Sequence, residues 1–123
     1  MACHDREARL DVIREAGAEI ATDWIAFALD NEVGPIVAHA LLEAFGEALP
    51  NHDGCREILD ASQRRMDTLM DALDAVASRL APEGIRMVGL KNAGIARGIF
   101  PHRALCPMGD LDVLVARDRF RDA

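Results

Sequence analysis

The period of the apolar pattern changes at Gly84, and that change constrains the fold more than any other feature of the sequence. Between about Cys55 and Leu80, apolar residues fall at Ile58, Leu59, Met66, Leu69, Met70, Leu73, Val76, Ala77 and Leu80. Steps of three, four and seven keep them on one stripe of an α-helix. Asp60, Asp67, Asp71 and Asp74 lie off that stripe and read as a solvated face. Ala81-Pro82-Glu83-Gly84 then breaks the helix. Beyond it the apolar runs are short and bounded by breakers, as strands require. Ile85 to Leu90 is one such run and Leu111 to Val115 a second, with a short helix expected over Ala93 to Phe100.

Upstream of the long stripe the sequence reads as helical throughout. A first helix is expected from about Asp5 to Ala16, ended by Gly17, and a second from Thr22 to Asn31, capped by Thr22 or Asp23. Pro35 is well placed as the first residue of a third helix. The expected class is therefore α+β. About four helices occupy residues 1–83, and a β-α-β core occupies residues 84–123, with Asp118 placed to cap a final helix.

Composition narrows the function. Lys+Arg 14 against Asp+Glu 21 gives a formal charge of −7, the opposite of the basic footprint of a general nucleic-acid binder. A nucleotide substrate stays open, because one local basic site suffices for it. No apolar run approaches the roughly 18 residues of a membrane span. The N-terminus is charged from His4-Asp5-Arg6 onward and has no apolar signal core, so a cytoplasmic protein is expected. Cys3, Cys55 and Cys106 are too few and too scattered for a disulfide framework or a zinc knuckle.

The chemistry concentrates in Met108-Gly109-Asp110-Leu111-Asp112-Val113-Leu114-Val115. On a strand, side chains alternate faces, so Asp110 and Asp112 project together, with Cα atoms roughly 7 Å apart by twice the strand rise. Leu111 and Val113 take the opposite face and should anchor in the core. Two neighbouring carboxylates repel unless a cation offsets them, and Mg²⁺ suits one or two carboxylates combined with phosphate oxygens and water. The turn at Leu90-Lys91-Asn92 lies ahead of a helix, where a charged lysine and backbone N–H groups suit phosphate.

These two segments resemble the uncharacterised nucleotidyltransferase family of the DNA-polymerase-β-like superfamily. The likeness runs through Gly84-Ile85-Arg86-Met87-Val88-Gly89-Leu90-Lys91-Asn92-Ala93-Gly94 and Cys106-Pro107-Met108-Gly109-Asp110-Leu111-Asp112-Val113-Leu114-Val115. Trp24 to Ile36 is similar to the family's helical lead-in. The resemblance implies a nucleotidyltransferase fold with a helical extension. It implies Asp110 and Asp112 as catalytic carboxylates and Mg²⁺ ligands, with Lys91 and Asn92 on the phosphates of an NTP whose nucleotidyl group passes to an unknown acceptor. The alternative is a catalytically inactive binding or scaffold module of the same fold.

Three departures from the family pattern bear on that choice. Asn92 stands where the family has glycine, and it adds a side chain beside the phosphates. Cys106 stands where the family has arginine; Arg103 is the nearby guanidinium that could replace it. The superfamily's third carboxylate comes from a later strand, and too few residues follow Asp112 to supply one, so the core reads as truncated. A two-stranded sheet with a continuous apolar run at Val113-Leu114-Val115 leaves edges and a face open. A homodimer, or a second protein chain that completes the sheet, is therefore expected.

Overall fold

A computed structural model describes residues 2–17, 21–106 and 108–123. Its α+β organisation matches the change of period at Gly84. Five α-helices are present among the described residues: α1 (Ala2–Ala16), α2 (Ala21–Asp30), α3 (Gly34–Phe45), α4 (His52–Leu80) and α5 (Lys91–Ile95). Strands β1 (Met87–Gly89) and β2 (Val113–Val115) form one antiparallel pair, in register Met87 with Val115, Val88 with Leu114 and Gly89 with Val113. Packing divides the chain into two compact units, residues 1–62 and 63–123, with the division inside α4.

In the first unit, Ile25, Ala38, Leu41, Leu49 and Cys55 form a buried cluster, with Trp24, Val37 and Phe45 partly buried against it. Pro35 stands in the first turn of α3, where its missing N–H costs nothing. The turn before it passes through Glu32 at φ +61, with Val33 N–H donating to Ala28 O at 2.8 Å and so satisfying a carbonyl of the last α2 turn. Arg6 Nη2 donates to Glu43 Oε1 at 2.6 Å and ties α1 to α3. The side chain of Thr22, one of the two expected caps of α2, lies outside the described residues.

In the second unit the α4 stripe works as its spacing predicts. Met66, Met70 and Leu73 are buried with Ala93, Ala96, Cys106 and Met108, and Leu69, Met87, Phe100 and Leu111 pack against them. Val76 departs from the pattern and is 44% exposed. The acidic positions are not all idle: Asp74 takes Arg97 at 2.7 Å and Asp67 takes Arg103 at 3.0 Å. Both carboxyls are held below the usual aspartate range, Asp74 by its bond from Arg97 and Asp67 by its bonds from Gln63 and then Arg103. These pairs tether the segment that leads from α5 toward β2.

Gly84 carries the chain out of α4. It sits at φ +68, a left-handed conformation open to glycine, and Ile85 N–H reaches back to Leu80 O at 3.1 Å. The strands are shorter than the apolar runs suggest, three residues each. The expected helix over residues 93–100 instead begins at Lys91 and ends at Ile95, and Asp118 lies within a short 3-10 turn (Arg117–Arg119) rather than at the cap of an α-helix. No helix among the described residues is long and apolar enough to cross a membrane.

Candidate functional site

Strand pairing decides where the two aspartates lie. The Leu90 N–H donates to the Asp112 carbonyl at 2.9 Å, which extends the contact between the strands by one residue beyond the three paired positions. Residues paired across an antiparallel ladder share a face. Leu90 and Asp112 therefore continue the face of Val88 and Leu114, which are 57% and 56% exposed. Leu111 points the other way and packs on the core, as the alternation predicts. Val113, expected to anchor in the core as well, is 42% exposed. Asp110 and Asp112 precede β2 rather than belonging to it, because the regular ladder begins only at Val113.

The turn after β1 brings Lys91 to the same place. Gly89 and Gly94 let α5 approach β1 closely: a Cβ at Gly94 would meet the Gly89 carbonyl oxygen at 2.5 Å. Gly98 has no such role, since a Cβ there would meet nothing within 4 Å. Lys91 Nζ forms an ion pair with Asp112 Oδ2. That bond and then the charge of Asp112 hold the ammonium above its ordinary range against an opposing desolvation, with Asp110 adding less. Lys91, Asn92, Gly109, Asp110 and Asp112 line one pocket of about 80 Å³. Liquid water takes about 30 Å³ per molecule, so the pocket has room for a cation with part of its shell. A nucleotide would have to lie across its mouth.

A larger groove of about 530 Å³ runs beside Ala77, Ala81, Ile85, Arg86 and Val88. Among the described residues no carboxylate lines it, and size alone does not make it the seat of the chemistry. Of the residues singled out in the sequence, Lys91, Asn92, Asp110 and Asp112 come together in the smaller pocket. Arg103 does not line it; its guanidinium is on Asp67. His102 accepts the Ala104 N–H through Nδ1 at 3.2 Å and caps the following turn. Cys106 is fully buried, with Sγ 3.9 Å from the Asn92 carbonyl oxygen, and burial pushes its thiol pKa up. Pro107, which completes the Cys-Pro-Met segment, lies outside the described residues.

One neighbour of the site was not legible in the sequence. Arg65 Nη2, from α4, donates to the Gly109 carbonyl oxygen at 3.4 Å, next to Asp110. The two residues stand 44 positions apart, and no local pattern connects them.

The two aspartates offer hard oxygen donors of the kind Mg²⁺ takes when phosphates and water complete its shell. Among the described residues no group of three or more His, Cys, Asp or Glu side chains is placed to enclose a metal. Two aspartates fit a cation whose remaining positions are taken by phosphate oxygens and water.

The chain belongs to the family described as uncharacterised nucleotidyltransferase, whose model matches residues 21–123. No curated protein and no solved structure matches it.

Proposed function

We propose that this protein transfers a nucleotidyl group from an NTP to an acceptor in a Mg²⁺-dependent reaction. The convergence of Asp110, Asp112 and Lys91 on one pocket is the observation that carries this reading. Asp110 and Asp112 would hold the metal, and Lys91 with the Asn92 turn would hold phosphate oxygens. Bound there, Mg²⁺ would supply charge neutralisation of the triphosphate and polarisation of the reacting oxygens. An acceptor hydroxyl or amine would attack the α-phosphorus, the bond from that phosphorus to the bridging oxygen would break, pyrophosphate would leave, and the acceptor's proton would pass to solvent. Asp110 and Asp112 would orient the bound cation and its triphosphate, and Lys91 would offset negative charge on the phosphates. Calorimetric titration with Mg²⁺ and each NTP tests the reading. Binding by the wild type that is lost in Asp110→Asn/Asp112→Asn supports it; a folded wild type that binds none of them counts against it.

Burial of Cys106 favours a second reading, a scaffold module that keeps the fold without the chemistry. The resemblance has arginine at this position, and here a small packed thiol supplies no guanidinium to a phosphate. A partner complex that survives Asp110→Ala combined with Asp112→Ala, with biological function intact, would support it.

The exposed face of Val88 and Leu114 motivates one further element: a homodimer, or another chain that completes the sheet. Light scattering with size exclusion at low micromolar concentration would show a mass above 13.4 kDa, and a monodisperse monomer would contradict it. A cytoplasmic location is part of this proposal.

A further inference from the structure

Three features of Lys91 go beyond those of an ordinary exposed lysine. Its backbone lies at φ +50, in the left-handed region that residues carrying a Cβ seldom adopt. Its side chain is 76% exposed yet ends on the Asp112 carboxylate, although fixing a long side chain in one geometry costs rotamer entropy. The second carboxylate, Asp110, lines the same pocket. Two neighbouring aspartates repel one another, and the Lys91 ammonium on Asp112 offsets part of that repulsion.

We infer that Lys91 determines what the site accepts: its ammonium holds the cation position beside Asp112 until a triphosphate draws it away, so that the site takes divalent metal and triphosphate together in preference to metal alone. This rests on the reading of the site given above and adds a preference between its ligands. A divalent ion arriving alone must displace the ammonium, which then loses its carboxylate and gains no partner. An ion arriving with a triphosphate brings that partner with it. The coupling is reciprocal, so the metal also strengthens the hold on the triphosphate by freeing Lys91 for it.

Calorimetry on the full chain tests this, with Mg²⁺ alone and tripolyphosphate alone as separate probes. Lys91→Met removes the charge at similar length. Lys91→Asn removes it with a residue that tolerates positive φ, and carries the test if the methionine variant is unstable. Both variants should bind Mg²⁺ alone roughly two- to fivefold tighter than the wild type, the range that loss of an exposed ion pair can release. Both should bind tripolyphosphate more weakly. Lys91→Arg, which keeps the charge, should hold Mg²⁺ as weakly as the wild type. Mg²⁺ affinity in the folded neutral variants that equals or falls below that of the wild type overturns the inference while leaving the site itself standing. A wild type that binds neither Mg²⁺ nor tripolyphosphate overturns both.

Discussion

Alanine at Gly94 should loosen α5 from β1, and the cost can be worked from the geometry. A Cβ at this position falls 2.5 Å from the Gly89 carbonyl oxygen and 3.3 Å from its carbon. Both atoms are backbone, so no side-chain rotation relieves the overlap, and the helix or the strand must move. Overpacking of this kind costs about 1–3 kcal/mol. Alanine returns at most about 1 kcal/mol of helix propensity over glycine, and less here because Gly94 is the penultimate residue of a five-residue helix. The net expectation is a loss of about 1–2 kcal/mol. Gly98→Ala is the matched control, because its Cβ would meet nothing within 4 Å; it should stay within about 0.5 kcal/mol of the wild type. Urea unfolding followed by circular dichroism reads both, provided the slope with denaturant is unchanged. A Gly94→Ala protein as stable as the wild type, or a Gly98→Ala protein that loses as much, would refute the close-approach argument.

Two other outcomes follow from the electrostatics and burial of the second unit and of Cys55. The Asp74 carboxyl is depressed by Arg97, so the unfolded chain takes up its proton more readily; the stabilisation is present above the ordinary aspartate pKa of about 3.9 and lost as pH falls through the lower folded value. Asp74→Asn should therefore make stability depend less steeply on pH between about 5 and 3, and an unchanged slope in urea midpoints would contradict the pairing. Cys55 and Cys106 are buried with raised thiol pKa values, so iodoacetamide should leave both unmodified in the native protein while labelling them fully in urea. Peptide mass spectrometry checks this, and native labelling of Cys106 at the denatured rate would show that its packing is wrongly described.

How far each feature could be read in the sequence follows from the range of the interactions that make it. The α4 stripe was legible because helical period is local, and Met66, Met70 and Leu73 are buried as that period requires. The break at Gly84 was legible because glycine supplies the positive φ that turns the chain. The convergence of Lys91 with Asp112 was reachable only in part. The two short apolar runs indicated strands, but their register came from pairing, and the Leu90 to Asp112 hydrogen bond is what sets the lysine beside the carboxylate. Alternation placed Leu111 correctly on the core. It did not reveal that the ladder begins at Val113 or that Leu114 lies exposed, because a run of three apolar residues says nothing about what covers it. The contacts of Arg65 with Gly109, Asp67 with Arg103 and Asp74 with Arg97 span 44, 36 and 23 residues, and charge spacing along one helix cannot announce such partners. Asp67 and Asp74 consequently read as a solvated face, although each anchors an arginine.

The most direct test of the central claim is calorimetric titration of Mg²⁺–NTP into the wild-type protein and into the Asp110→Asn/Asp112→Asn double variant. Both carboxylates are at least partly exposed, so replacing them with neutral amides of similar size should leave the fold intact, as matching thermal melts would confirm. The account predicts saturable binding of at least one Mg²⁺–NTP by the wild type and at least a tenfold loss in the double variant, which corresponds to about 1.4 kcal/mol. Equal binding by the two proteins would contradict the assignment of the metal and nucleotide site to Asp110 and Asp112.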